Sequence, residues 1–231
     1  AREALSRALA SGDVSNAALP FMGIAQAEIA VEGGTIPAMI ARISFSGELA
    51  FEVYTPAGFG PHLWRSVLAA AQSEGGGAYG LEALGALRIE KGHVTGAELD
   101  GRVTLEDAGL GRMASTKKPF IGCQLRHRPE LAKEGRPQLA HFMPVRAGER
   151  FSVGAIVVAL GRETGHGIGW ITGVTESPAL GGWLGIGFVE GGPEAWAGKK
   201  VAIADPVRGV RTEVRVASPH QFDPKGERMH A

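Results

Sequence analysis

The second half of the chain alternates between short apolar runs and polar turns. Between residues 139 and 218, each run ends in Gly, Pro or charged residues. Spacing of this kind is typical of antiparallel strands joined by tight turns, so this half predicts a small β-barrel or sandwich. The predicted strands cover residues 139–145, 151–160, 167–175, 184–190, 199–204 and 210–217.

The first half of the chain mixes helical and extended patterns. Residues 28–44 predict two strands around a hairpin turn at Gly33 and Gly34. Apolar residues at helical spacing predict helices further along, and Thr104 is a candidate N-cap for another. The predicted helices cover residues 2–10, 61–73 and 81–92. A charged linker then precedes the β-rich half.

Residues 43–54 predict a turn that enters a strand carrying two glutamates. Because side chains alternate between the faces of a strand, Glu48 and Glu52 share one face with Tyr54. The apolar residues between them point to the opposite face. Two interpretations stay open: these carboxylates form the solvated side of a sheet, or they line a pocket for a ligand rich in N–H donors.

The helix predicted over residues 81–92 places an arginine on its buried stripe. A helical wheel puts Leu81 and Leu84 on the inner side, with Arg88 between them in angle. A buried arginine needs an acceptor, because an unpaired buried charge is very costly. Glu90 lies on the far side of the wheel and is expected to be solvated.

Composition narrows the function classes. The formal charge is zero, because 24 lysines and arginines balance 24 aspartates and glutamates. This balance argues against nucleic acid or an anionic membrane as partner. No apolar run approaches the roughly 20 residues that span a bilayer. The single cysteine, Cys123, excludes an internal disulfide and fits a reducing, cytoplasmic setting.

The histidines, the glycine-rich segment and the cysteine give little evidence of a metal, phosphate or thiol site. The seven histidines lack a metal-ligand spacing, so we expect no metal site. The glycines Gly165, Gly167 and Gly169 do not open a helix after a parallel strand, so turns and bulges explain them better than a phosphate loop. Cys123 has no obvious cationic neighbour with a histidine partner, which predicts an inert thiol.

A series of ordered motifs resembles the aminomethyltransferase (glycine-cleavage T-protein) family. Residues 46–53, SGELAFEV, resemble that family's YTGExGxEI segment. Residues 80–92, GLEALGALRIEKG, resemble its GLxARDxLRLExG stretch. The segments TLEDAGLG at 104–111, KPFIG at 118–122 and GVTESP at 173–178 follow in the family's order. The resemblance implies an α+β fold: a truncated aminomethyltransferase-like fold in which a mixed α/β folate-binding subdomain precedes a small C-terminal antiparallel β-barrel.

Within this family, the chain resembles the C-terminal part of the alpha subunits of heterotetrameric sarcosine oxidases. The segment LRIEKGH at 87–93 and the ending SPHQFDPKGERM at 218–229 carry this likeness. The resemblance implies that tetrahydrofolate binds here and captures the one-carbon unit from sarcosine oxidation as 5,10-methylenetetrahydrofolate. It also implies FAD, FMN and NAD in the rest of the complex. The implied partners, besides folate, are other sarcosine oxidase subunits or the missing N-terminal part of the same polypeptide.

The resemblance implies four folate-binding residues and no catalytic residue. Glu52 aligns with the family's glutamate that accepts hydrogen bonds from the pterin, and a carboxylate suits a fork of N–H donors. Phe45 replaces the family's tyrosine and would pack on the pterin. Arg88 either pairs with Glu48 or reaches the ligand's glutamyl carboxylate, with structural pairing favoured. Glu48 is expected to order the turn or to pair with Arg88.

Two departures limit the resemblance. Leu84 and Gly85 replace the Arg-Asp pair common in glycine-cleavage members, which argues against a housekeeping T-protein. The family's first subdomain has no counterpart before Ala1, so the chain is expected to be a fragment that is inactive alone. The expected organisation is the end of that subdomain at 1–27, an α+β subdomain at 28–125, a linker at 126–138 and a barrel at 139–231. The alternative function is a stand-alone aminomethyltransferase-like protein or a non-catalytic folate-binding or assembly module.

Overall fold

The chain forms two compact units in the computed structural model, which describes residues 1–162 and 166–231. The first unit combines Ala1–Leu84 with Asp223–Ala231, and the second comprises Gly85–Phe222. The polypeptide therefore leaves the first unit and returns to it at its end. Of the glycine pattern discussed above, Gly165 lies outside the described residues.

The first unit is an antiparallel sheet with helices. Its strands are β1 (Leu9–Ser11), β2 (Ile24–Val31), β3 (Gly34–Ala41) and β4 (Glu52–Tyr54), in the spatial order β1-β2-β3-β4. Its helices are α1 (Arg2–Ala8) and α2 (Gly60–Ser73), and α5 (Glu227–His230) belongs to the returning segment. A 3₁₀ turn, Ala57–Phe59, precedes α2. The hairpin predicted around Gly33 is confirmed, with Val31 opposite Gly34.

The alternation of apolar and polar residues decides which face of this sheet is buried. Ile29, Ile36 and Ile40 point to one face and form a core with Leu5 of α1 and Ala70 of α2. The opposite face of the sheet is exposed. Glu52 and Tyr54 of the edge strand β4 are exposed on this face.

The second unit is built on a closed six-stranded barrel. Its strands follow the spatial order β10-β5-β8-β7-β6-β9, and the pairings among the described residues are antiparallel. They are β5 (Pro137–Pro144), β6 (Ile156–Ala159), β7 (Gly169–Ser177), β8 (Gly182–Glu190), β9 (Lys200–Asp205) and β10 (Val210–Ala217). All six predicted strands are confirmed, although β6 is shorter than its predicted range.

Two apolar clusters stabilise this second unit. The first contains inward residues of the barrel strands, among them Phe142, Val157 and Ile203. The second joins Ile89 of helix α3 (Leu81–Lys91) to Leu184 and other strand residues. Burial of such side chains contributes about 1.5 to 3 kcal/mol each, so both clusters hold the barrel closed. Short helices complete the unit: α4 (Gly192–Ala195) and 3₁₀ turns at Gly111–Met113 and Leu125–His127.

Three local predictions were wrong. The strand predicted from Glu48 onwards begins only at Glu52, because residues 45–49 form bends in which Gly47 has a positive φ of 84°. Glu90 is only 3 % exposed rather than solvated, whereas Leu81 is 85 % exposed rather than inward. The last turn of α3 is buried on several sides at once, so a single inner stripe does not describe it.

Thr104 forms the predicted cap without a helix. Its hydroxyl accepts a hydrogen bond from the Asp107 N–H at 3.2 Å, and the Asp107 carboxylate accepts from the Thr104 N–H at 2.9 Å. The chain then turns through Gly109, whose φ is 74°. The capping pattern therefore closes a turn, because the left-handed glycine ends any helical continuation.

Gly92 ends α3 at a position where the structure tolerates no side chain. Its φ is 76°, and a Cβ there would lie 2.0 Å from the carbonyl oxygen of Pro219. We expect Gly92→Ala to lower the free energy of unfolding by about 2 kcal/mol or more, because left-handed strain and a backbone clash add. Chemical denaturation measures this. The matched control is Gly85→Ala on the same helix, which meets open space and is expected to stabilise by about 0.5 to 1 kcal/mol.

Candidate functional site

Glu52 opens β4 and points to the exposed face of the sheet. It lies opposite Ala41 of β3, and Tyr54 lies opposite Met39. The Tyr54 hydroxyl donates a hydrogen bond to Glu52 Oε2. This bond raises the pKa of Tyr54 above its ordinary value of 10, so the phenol stays protonated at neutral pH. Within residues 1–162 and 166–231, the structure shows no cation in an ion pair with Glu52, so its carboxylate remains available to donors from a ligand.

The exposed face beside Glu52 has an amphipathic character. Met39 is 42 % exposed and Tyr54 is 44 % exposed, which is high for large apolar side chains on a sheet. A shallow groove of about 630 Å³ runs over this face, and its lining includes Gln26, Glu28, Met39 and Tyr54. Flat apolar surface next to hydrogen-bonding groups is typical of sites that hold an aromatic ligand.

Phe45 and Glu48 lie in the bend segment that leads to Glu52. The Ser44 hydroxyl accepts a hydrogen bond from the Gly47 N–H at 3.0 Å, which closes a turn around Phe45. The Phe45 side chain is 40 % exposed. Glu48 Oε1 accepts a hydrogen bond from Arg228 Nη1 at 2.9 Å. Glu48 is therefore paired with a cation from the end of the chain, and not with Arg88.

Arg88 is a buried structural residue of the second unit. Its guanidinium donates to Glu98 Oε2 at 2.9 Å, and the two side chains are 10 % and 0 % exposed. A Cβ at Gly173 would lie 2.9 Å from the Arg88 Nη2, so β7 leaves space for the guanidinium by carrying glycine there. The structure pairs Arg88 with Glu98 instead of with the expected Glu48, and contact of Arg88 with a ligand stays a prediction.

The environment of Glu98 explains how a buried carboxylate stays ionised. It accepts hydrogen bonds from the Thr95 N–H at 2.7 Å and from the Thr95 hydroxyl at 3.0 Å, as well as from Arg88. Burial alone would raise the pKa of Glu98, but hydrogen bonds from Thr172 and Thr95 and the positive charge of Arg88 outweigh it. The net pKa of Glu98 is therefore lowered, and the ion pair persists at neutral pH.

A second buried carboxylate fixes the turn between β7 and β8. Glu90 Oε1 accepts hydrogen bonds from the Ser177 hydroxyl at 2.6 Å and from the Ala179 N–H at 3.1 Å. Ser177 lies in the segment whose sequence resembles the family's, and its side chain is fully buried. Glu90 of α3 and Glu98 of the following loop thus both accept hydrogen bonds from other residues of this unit.

His141 of β5 is buried and neutral. Its Nε2 lies 2.7 Å from the carbonyl oxygen of Ile89, so this nitrogen carries the proton and donates. Its Nδ1 is buried with no hydrogen-bond partner among the described residues. Burial lowers the pKa of His141 from its ordinary 6.5 to about 4.

We expect the stability of the chain to fall in mild acid because of His141. In the unfolded chain this histidine takes up a proton near pH 6.5, whereas in the folded chain it does so only near pH 4. Stability is therefore full above pH 6.5 and falls by about 3 kcal/mol as the pH drops to 4. Denaturation measured from pH 7 to 4 tests this. In His141→Gln, which keeps an N–H donor, the fall should be much smaller, and in the exposed His127→Gln it should be unchanged.

The described residues contain no group of three or more His, Cys, Asp or Glu side chains able to hold a metal ion. None of the helices in the described ranges is long and apolar enough to cross a membrane. The exposed face of the sheet beside Glu52 presents a carboxylate, a phenol and apolar surface, which are groups that can position a ligand.

Comparison with known proteins identifies the family. The model of the GCVT N-terminal domain matches residues 1–118, just over half of the chain. The chain belongs to this family. Members with curated descriptions include the sarcosine oxidase subunit alpha of Rhizobium meliloti (strain 1021), 37 % identical over 221 residues, which cover 94 % of this chain and 22 % of that protein.

Further relatives are likewise sarcosine oxidase alpha subunits and aminomethyltransferases. The sarcosine oxidase subunit alpha of Corynebacterium sp. (strain U-96) is 37 % identical over 98 % of this chain and 23 % of its own length. The aminomethyltransferase of Desulforamulus reducens is 32 % identical over 75 % of this chain and 46 % of its own length. The chain thus spans less than a quarter of the alpha subunits that it matches and about half of the aminomethyltransferase.

The fold of this GCVT member is that of an aminomethyltransferase. The crystal structure of glycine cleavage system aminomethyltransferase T from Bartonella henselae matches with a TM-score of 0.66 and 23 % identity. The match covers 83 % of this chain and 50 % of that one. The predicted α+β fold with a closed antiparallel barrel is confirmed.

Sequence reasoning missed three residues that shape these sites. Glu98 lies outside the residues singled out from the sequence, although the need of Arg88 for an acceptor was a signal for such a partner. Arg42 is 2 % exposed at the end of β3, and no periodicity marked it. Arg228 is separated from Glu48 by 180 residues, so no local pattern linked them.

Proposed function

We propose that this chain is the tetrahydrofolate-binding region of a sarcosine oxidase alpha subunit. In this role it captures the one-carbon unit from sarcosine oxidation as 5,10-methylenetetrahydrofolate. Membership of the GCVT family and the alpha-subunit relatives, which match 94 % and 98 % of the chain, support the proposal.

The exposed carboxylate of Glu52 is the observation that carries this function. A pterin ring presents a fork of N–H and NH₂ donors, and a carboxylate satisfies two donors at once with charge-assisted bonds. Glu52 stands on an edge strand, holds one oxygen to the Tyr54 hydroxyl and faces solvent. The residues present therefore fit a folate.

The remaining residues have supporting roles in this proposal. Phe45 supplies an exposed ring that packs on the pterin, and Glu48 orders the segment between Phe45 and Glu52. Arg88 has a structural role in the barrel unit, because its guanidinium pairs with Glu98. Tetrahydrofolate supplies the two nitrogens that take up the one-carbon unit. The protein contributes by orienting them, which replaces a bimolecular encounter by proximity.

The oxidation itself belongs to other parts of the assembly in this proposal. FAD, FMN and NAD bind outside this chain, and the partners are other sarcosine oxidase subunits and further parts of the same polypeptide. This chain adds the capture step, and alone it is inactive.

Product analysis tests the function. The full-length protein with its subunits, supplied with sarcosine and oxygen, is expected to release formaldehyde without tetrahydrofolate and to form 5,10-methylenetetrahydrofolate with it. Formaldehyde release that tetrahydrofolate does not change would contradict the capture role.

A stand-alone aminomethyltransferase or a non-catalytic folate-binding or assembly module is the second candidate. An aminomethyltransferase that matches 75 % of this chain supports this second candidate. A protein that binds tetrahydrofolate but does not oxidise sarcosine, with or without other subunits, would favour this candidate over the first.

A further inference from the structure

The last nine residues fold as an ordered segment of the first unit. Asp223–Ala231 cluster with Ala1–Leu84, and they include helix α5. The Asp223 carboxylate accepts hydrogen bonds from the N–H groups of Glu227 at 2.9 Å and Arg228 at 3.2 Å. These bonds hold the first turn of α5, so the direction of the Arg228 side chain is set locally.

This segment, which we call the strap (residues 223–231), contacts the rest of the first unit through several side chains. Arg228 Nη1 donates to Glu48 Oε1 at 2.9 Å. Arg42 Nη2 donates to the main-chain oxygen of Ala231 at 3.0 Å. The ring of His230 packs edge-on against Phe21, with 4.4 Å between the ring centroids.

Two of these contacts lie on the segment that leads to Glu52, the carboxylate proposed to hold the ligand. Arg42 immediately follows β3, and Glu52 begins β4. Residues 42–51 between the strands have no regular secondary structure, and Phe45 and Glu48 lie among them. The strap therefore touches this connection at its start, through Arg42, and near its middle, through Glu48.

Arg42 anchors one end of the connection firmly. It is 2 % exposed, and its guanidinium also donates to the carbonyl oxygen of Leu19 at 3.1 Å and to the Asn16 side chain at 2.5 Å. The contact of Glu48 with Arg228 is more exposed, at 37 % and 56 % of the two side chains. The contact between Arg228 and Glu48 is thus held less firmly than the contact of Arg42 with the strap.

We propose that the strap pre-organises the connection between β3 and β4 for ligand binding, and that Arg228 is a positioning residue acting through Glu48. A segment that is already ordered loses less conformational entropy when a ligand binds, so its affinity is higher. The ligand part of this inference rests on the proposed function, whereas the ordering of the connection does not.

Hydrogen exchange of the full-length protein without ligand tests the ordering. Arg228→Glu places two carboxylates together, so peptides covering residues 43–52 should exchange several-fold faster. The double variant Glu48→Arg with Arg228→Glu restores the ion pair in reverse and should return exchange to the wild-type rate. Lys225→Glu makes the same charge change within the strap, away from Glu48, and should leave these peptides unaffected.

Tetrahydrofolate affinity of the same variants tests the positioning. Arg228→Glu should weaken binding roughly fivefold, because an exposed pair is lost and a repulsion replaces it. The charge swap should recover most of this loss, which a merely destabilising change would not do. Unchanged exchange in Arg228→Glu, or no recovery in the swap, would overturn the inference. If the wild type does not bind tetrahydrofolate, the proposed function fails, and the exchange result still decides whether the strap orders the connection.

Discussion

Arg88→Met is expected to lower the free energy of unfolding by about 3 to 5 kcal/mol. The substitution removes the guanidinium that pairs with Glu98 and leaves a fully buried carboxylate without its cation. The remaining donors from Thr95 do not replace a positive charge, and Glu98 would take up a proton or draw in water. Chemical denaturation of the 231-residue chain measures the loss.

Two further variants separate this effect from simple loss of an arginine. Arg102 pairs with Asp100 on the surface, with 72 % and 31 % exposed side chains, so Arg102→Met should cost less than about 1 kcal/mol. Replacing both Arg88 and Glu98 by apolar residues should cost less than Arg88→Met alone, because no buried charge is left behind. A cost below 1 kcal/mol for Arg88→Met would show that the pair is dispensable.

Glu52→Gln is expected to weaken tetrahydrofolate binding about 10- to 100-fold in the full-length protein, with little change in stability. The amide keeps the shape of the side chain but has only one acceptor oxygen and no charge, so it loses charge-assisted bonds worth about 1.5 to 3 kcal/mol. In the proposed function Glu52 takes no part in the oxidation, so sarcosine-dependent flavin reduction should persist. Calorimetric titration measures the affinity.

Glu32→Gln is the matched control for this variant. Glu32 is an exposed glutamate in the turn between β2 and β3 of the same sheet, and it does not line the groove beside Glu52. The same loss of charge at this position should change tetrahydrofolate affinity less than twofold. Equal losses in both variants would assign the effect to the general charge of this unit instead of to Glu52.

The sequence predicted the barrel well because each of its strands carries a local signal. Alternating apolar residues such as Val157 and Ile203, separated by glycine-rich turns, define a strand without knowledge of its neighbours. The closure of the six strands and their order depend on pairings between distant residues, for example Val214 of β10 with Pro144 of β5. The local periodicity of a strand does not show which distant strand it pairs with.

Part of the candidate site could also be predicted from the sequence. The family motif singled out Glu52 and Phe45, whose contact with folate stays a prediction, and the buried stripe of α3 required an acceptor for Arg88. The identity of that acceptor, Glu98, depends on how the loop after α3 folds back. The pairing of Glu48 with Arg228 depends on the return of the chain to its first unit. Glu90 was misjudged because the end of α3 is enclosed on more than one side.

Hydrogen exchange of the full-length protein with and without tetrahydrofolate tests most directly whether the ligand binds at β4. We expect saturating tetrahydrofolate to protect peptides that cover residues 43–56, and we expect this protection to be lost in Glu52→Gln and kept in Glu32→Gln. Protection confined to the barrel strands, or protection of residues 43–56 that survives Glu52→Gln unchanged, would contradict the assignment of Glu52 as the residue that holds the folate.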